Sequence, residues 1–147
     1  MTTSITISEL RTVIDAEVPG AVSNSDKTNL WVHSRSLLDV CKSLKDPNQL
    51  DLSYLTSITA VDYIEYFELV YHLLSMRNNR SAVIKAKCSG RQSLTVPSVS
   101  QIWRGADLQE REIWDLMGIK FDGHPNLKRI LLWEGFDGHP LRKDYLG

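Results

Sequence analysis

Thiol chemistry is scarce in this chain: among 147 residues only Cys41 and Cys88 carry it, and they stand far apart. Neither belongs to a Cys-x-x-Cys pair or a Cys/His run, so the closely repeated thiolates and imidazoles of iron–sulfur and structural zinc sites are missing. Both are expected to pack as small hydrophobes. An excess of one charge is missing too. The formal net charge is −1, with acids and bases interspersed, which removes the electrostatic case for a nucleic-acid partner. No apolar run is long enough to span a bilayer; the longest apolar-biased stretch, Tyr63 to Met76, is interrupted by Glu65, Glu68 and His72. The opening Met1-Thr2-Thr3-Ser4-Ile5-Thr6 lacks the basic head and apolar core of a secretion signal, so a cytoplasmic location is the expectation. No serine or cysteine sits beside a histidine in a nucleophile motif, and no glycine-rich phosphate loop occurs.

What is present suits one globular domain: 147 residues with 42% hydrophobic content can enclose a real core. Ser8 is placed to cap a first helix with Leu10, Val13 and Ile14 on one face, stopped by Pro19-Gly20. Leu30 to His33 reads as a short strand. Ser34 is placed to cap a second helix carrying Leu37, Leu38, Cys41 and Leu44, ended by Asp46-Pro47. The period then changes. Leu52, Tyr54, Thr56, Ile58 and Ala60 alternate as a strand does, and Ile64 to Leu74 reads as a central strand covered on both sides. The polar turn Arg77-Asn78-Asn79-Arg80 before Ser81 to Lys87 predicts a hairpin. His33 and His72 are expected to be packed. The fold class is α+β: a small ferredoxin-like antiparallel sheet with helices on one face, followed by a helix and an extended C-terminal tail. Residues 1–95 form the core and 96–147 the helix and partner-binding tail of one structural domain.

The last third writes five residues twice. Phe121-Asp122-Gly123-His124-Pro125 recurs as Phe136-Asp137-Gly138-His139-Pro140, each copy followed by paired bases, Lys128-Arg129 and Arg142-Lys143. Neither proline can continue a helix or a central strand. The tail is therefore expected to be an extended ribbon with two tight bends that needs a surface to lie on. Before it, Asp107 and Glu110 fit a capping box for a helix with Ile113, Leu116 and Met117 on its apolar face, ended by Gly118. Arg111 and Asp115 stand four apart and could pair on that helix's surface.

Glu110-Arg111-Glu112, then Asp115-Leu116-Met117, His124, Lys128 and Ile130 make a long pattern of fixed spacings, and Gly135 to Tyr145 extends it. This pattern resembles the 30-kDa subunit of respiratory complex I, known in bacteria as NADH:quinone oxidoreductase or NDH-1; the likeness covers roughly residues 60–147 well, including Phe67 to Leu74 and Val96 to Val99. The resemblance implies a non-catalytic peripheral-arm subunit on the cytoplasmic face of the membrane, attached to it only through the complex. Its tail would wrap over a hydrogenase-like large subunit. It implies no cofactor in this chain, with iron–sulfur clusters, flavin and quinone in partner subunits. The residues expected to bind partners are Glu110, Arg111, Glu112, Asp115, His124, Lys128, Arg129, His139, Arg142 and Lys143. Two other readings stand beside it. One is the equivalent small subunit of a membrane-bound hydrogenase, a formate hydrogenlyase or an F420-linked or ferredoxin-linked oxidoreductase. The other is a stand-alone metal enzyme that brings His124 and His139 together with Asp122 and Asp137.

Overall fold

The computed structural model describes residues 1–92 and 94–147. In chain order its elements are β1 (Thr3–Ser4), α1 (Ile7–Glu17), β2 (Val22–Ser25), β3 (Leu30–His33), α2 (Leu37–Lys45), β4 (Tyr54–Asp62), β5 (Tyr66–Ser75), β6 (Arg80–Ser89), β7 (Thr95–Pro97), α3 (Ala106–Met117) and β8 (Lys120–Asp122). The fold is α+β, as the period changes along the sequence indicate. Five strands run in the order β2-β3-β6-β5-β4, with β1 beside β6 as well, and β7 and β8 make a separate parallel pair. The sheet is mixed: β4–β5, β5–β6 and β2–β3 are antiparallel, while β3 and β1 both run parallel to β6.

The hairpin of β5 and β6 is the spine, and its alternation decides where the core lies. Phe67, Leu69, Tyr71 and Leu73 of β5 and Ala82, Ile84, Ala86 and Cys88 of β6 all face one side and are buried. Leu10 and Ile14 of α1 and Leu37, Val40, Cys41 and Leu44 of α2 join them in a single hydrophobic cluster. The other face of β5 is open: His72 is exposed and Val70 and Leu74 are half-buried, so the strand is central but covered on one side only. Glu68 is the exception on that face, buried where it accepts the Trp31 indole N–H at 3.0 Å beside Lys85. Both cysteines are buried and free.

Local starts differ from the sequence reading. Thr6, not Ser8, caps α1, its hydroxyl accepting the Glu9 amide at 3.2 Å. Ser34 to Ser36 form a 3-10 turn, and α2 follows at Leu37 without a side-chain cap. The expected alternation in β4 is broken by a bulge between Leu55 and Ser57, which turns Leu55 and Ile58 inward and leaves Tyr54 and Thr56 exposed. β4 is one edge of the sheet, and α3 packs along it. Gln109 of α3 accepts the Ile58 amide at 2.6 Å, occupying an edge donor that would otherwise invite another strand.

Candidate functional site: the tail and the helix that holds it

α3 starts after Gly105 without a side-chain cap, so the Asp107–Glu110 box is not formed. Glu110 turns inward instead. Fully buried, it accepts the Ser98 hydroxyl at 2.6 Å and the Val99 amide at 2.9 Å. Burial pushes its carboxyl up to about 6, although those two donors pull the other way. Ser98 in turn gives its amide to Asp122, so one acid ties α3 to the β7–β8 ribbon. Gly118, with φ of 77°, ends α3 in the left-handed conformation that only glycine adopts cheaply.

Asp115 is the organiser of the tail. The expected pair with Arg111 is absent, because the Asp115 side chain points inward while Arg111 donates to the carbonyls of Lys128 and Arg129. One Asp115 oxygen accepts three successive amides, Ile130 at 3.1, Leu131 at 2.8 and Leu132 at 3.0 Å; the other accepts Arg129 at 2.7 Å. Burial alone would raise this carboxyl, but the Leu132 amide, the Arg129 guanidinium and the Leu131 and Ile130 amides outweigh it and hold it at about 2. Arg129 reaches further, to the carbonyls of Phe136 and Gly138 at 2.9 and 2.8 Å. A buried acid and one arginine thus fix both limbs of the tail.

The twin turns have matching jobs. His124 presents Nε2 to the Asp107 carbonyl at 3.0 Å while its Nδ1 accepts the Asn126 amide at 3.0 Å. His139 presents Nδ1 to the Asp115 carbonyl at 2.9 Å, packs on Trp114 at 4.9 Å between ring centres, and lies so close over Gly118 that a Cβ there would meet its ring at 2.7 Å. Carbonyls eight residues apart on a helix are separated by about 12 Å. The two imidazoles are therefore fastened to opposite ends of α3 and are not brought together. Among the described residues no cluster of three or more potential metal ligands exists.

A second anchor lies at the end of the tail, joining Arg142 and Lys143, which the sequence singled out, to Asp62 and Arg91, which it did not. Arg91 forms a two-pronged pair with Asp62, at 2.5 and 2.9 Å, and also meets Asp144 at 3.0 Å. Arg142 meets Asp144 at 2.9 Å and donates to the carbonyls of Met117 and Arg91. Both guanidiniums lie over the buried Phe67 ring, at 4.8 and 5.1 Å. Asp62 also accepts the Lys143 amide at 2.8 Å; the Arg91 hydrogen bonds, opposed by burial, hold its carboxyl far below the usual range. Asp144 is held at about 2, first by Arg142 and then by Arg91. Nothing local marks Asp62 and Arg91 as a pair, since they stand 29 residues apart and their tail partners lie 81 and 53 residues away.

Of the expected partner-binding residues, Glu110, Asp115 and the His124 side chain are enclosed. Arg111, Arg129, His139 and Arg142 are engaged within the chain, and Glu112, Lys128 and Lys143 are exposed. Among these charges the pinned tail also holds large apolar side chains outward: Leu131 is 61%, Trp133 69%, Leu141 60% and Leu146 100% exposed.

Residues 30–147 match the family described as "Respiratory-chain NADH dehydrogenase, 30 Kd subunit". A subunit of the NADH-quinone oxidoreductase of Rhizobium meliloti is 38% identical over 141 residues, spanning 91% of this chain and 76% of that one. The matching NADH-quinone oxidoreductase subunit of Roseiflexus castenholzii is 41% identical over 138 residues, spanning 89% and 79%. In a solved structure of the membrane-bound sulfane sulfur reductase, an archaeal respiratory membrane complex, one chain superposes with a TM-score of 0.72 at 27% identity, covering 94% of this chain and 84% of that one.

Proposed function

The chain belongs to the family of the 30 Kd subunit of the respiratory-chain NADH dehydrogenase, and from that membership we propose that it is a non-catalytic peripheral-arm subunit of a membrane-associated NADH:quinone oxidoreductase. In this role it docks and steadies the hydrogenase-like large subunit at the cytoplasmic face. Flavin, iron–sulfur clusters and quinone belong to its partners. The observation that carries the docking role is the tail's construction. Asp115, Arg129, Arg91 and Arg142 fix its backbone from within, while Leu131, Trp133, Leu141 and Leu146 are held out to solvent. Fixing a surface before binding removes an ordering cost that association would otherwise carry. An exposed tryptophan on a pinned ribbon has the makings of an interface anchor, the leucines around it add apolar area, and Glu112, Lys128 and Lys143 supply a charged rim.

A second reading has its own observation. The likeness to a chain of the archaeal sulfane sulfur reductase complex covers almost the whole domain, so the same docking role suits a related membrane complex with another electron donor. Tagging the chain at its N-terminus in its native cell, solubilising membranes gently and identifying what copurifies tests both. A hydrogenase-like large subunit with a flavin-bearing NADH-oxidising subunit supports the first reading; the same large subunit without an NADH-oxidising partner supports the second. Recovery of the chain alone overturns docking.

A further inference from the structure

The turn between β4 and β5 holds a branched, exposed residue in a strained conformation. Ile64 has φ of 74°, and the Glu65 amide donates to the Tyr63 carbonyl at 2.9 Å across it. Positive φ with a bond spanning two residues is the rarer and more strained form of γ-turn. A β-branched residue is the least suited to it, because the branched Cβ crowds the backbone. Glycine would adopt the turn freely, yet here stands an isoleucine whose side chain is 62% exposed.

The surroundings over-determine this conformation. Asp62 accepts the Ile64 amide at 2.8 Å, and Arg91, already paired with Asp62, donates to the Ile64 carbonyl at 3.0 Å. Tyr63 closes the hairpin on Tyr66 through its amide at 2.9 Å and a ring contact at 5.2 Å. Asp62 and Arg91 are the same two residues that hold the Lys143 amide and Asp144. The strained tip and the end of the tail are therefore neighbours on one anchor. Strain that persists at an exposed apolar side chain marks a site of use.

We propose that Ile64 is an interface anchor, a rigid apolar knob set beside the tail to enter an apolar socket on the same large subunit that the tail docks. The occupant is argued from continuity: the anchor that fixes the tail fixes the knob, and relatives of this chain are subunits of multi-subunit complexes. This rests on the docking reading above.

The test is Ile64→Gly in the tagged full-length chain, beside Ile64→Asn, whose polar side chain tolerates positive φ. Removing the strain raises the thermal midpoint of the purified Ile64→Gly chain by roughly 2–4 °C, while large-subunit recovery falls roughly tenfold or more in both variants, as for a hot-spot residue. A glycine variant no more stable than the parent, or recovery at the parental level in either variant, overturns the proposal. If the parent chain itself captures no large subunit, the docking reading falls first and this inference falls with it.

Discussion

Asp115→Asn separates the tail's own anchoring from everything else in the fold. The exchange keeps the side chain's shape and its place on α3, but removes the charge facing Arg129. It also leaves one oxygen, not a carboxylate, for the amides of Ile130, Leu131 and Leu132. The magnitude follows from the carboxyl itself. Held at about 2 against an ordinary 3.8, it contributes about 2 kcal/mol from the preference of the fold for its charged form. The folded value is the lower one, so that stabilisation is complete above about pH 4 and disappears as pH falls through 2. At neutral pH the variant forfeits it, and 2 kcal/mol is roughly a 30-fold change in an opening equilibrium. Hydrogen exchange at pH 7, read at the amides of residues 130 to 132, is the assay. Those three should exchange roughly 30-fold faster in Asp115→Asn, while amides of β5 and β6 keep their parental rates. Trypsin should also cut sooner after Lys128 and Arg129. Unchanged protection of the three amides in the variant refutes the reasoning, since the tail would then be ordered by something other than Asp115.

Three further outcomes are expected. Glu110→Gln should flatten a stability slope: the buried acid is raised to about 6 from 4.5, so its contribution is fully present below pH 4.5 and about 2 kcal/mol of it is lost as pH rises to 6 and beyond, a loss that urea unfolding across that window would show missing in the variant. Gly118→Ala should cost about 1–3 kcal/mol in thermal unfolding, because an L side chain at φ of 77° is strained and its Cβ displaces His139; an NMR shift of the His139 ring should accompany it. Arg91→Met should cost about 3 kcal/mol by stranding the almost fully buried Asp62, with the loss measured at pH 7 and shrinking towards low pH as that carboxyl takes up a proton.

Local signals in the sequence marked elements well and partners poorly. Gly118 as the end of α3, the hairpin turn before Arg80 and the strand at Leu30 rest on a few adjacent residues, and all are where periodicity and turn chemistry put them. The twin Phe-Asp-Gly-His-Pro frames announced two equivalent turns, and each delivers a histidine to α3. The surface they lie on is a helix of the same chain, which spacing alone does not reveal. Glu110 reads as half of a capping box and Asp115 as a surface partner of Arg111, because helical neighbours three or four residues away are all that sequence offers. Their real partners lie 11 to 17 residues away, or across the fold. The Asp62–Arg91–Asp144 anchor joins a strand end, a loop and the tail, and no pattern foretells such a meeting. β4 misled for another reason: a bulge is one extra residue, and it reverses the faces on either side of itself.

The order in which these parts emerge during synthesis gives the tail a second meaning. The six strands of the main sheet all fall within residues 3–89, and the anchors Asp62, Phe67, Arg91 and Asp115 all precede the ribbon they hold. A growing chain can complete that sheet before the first Gly-His-Pro turn leaves the ribosome. The apolar ribbon is then displayed in its fastened form only by a molecule whose core is already built. A misfolded copy, lacking the buried carboxylates that clasp the tail, would present a loose one. In the docking role proposed above, the clasp makes assembly conditional on folding.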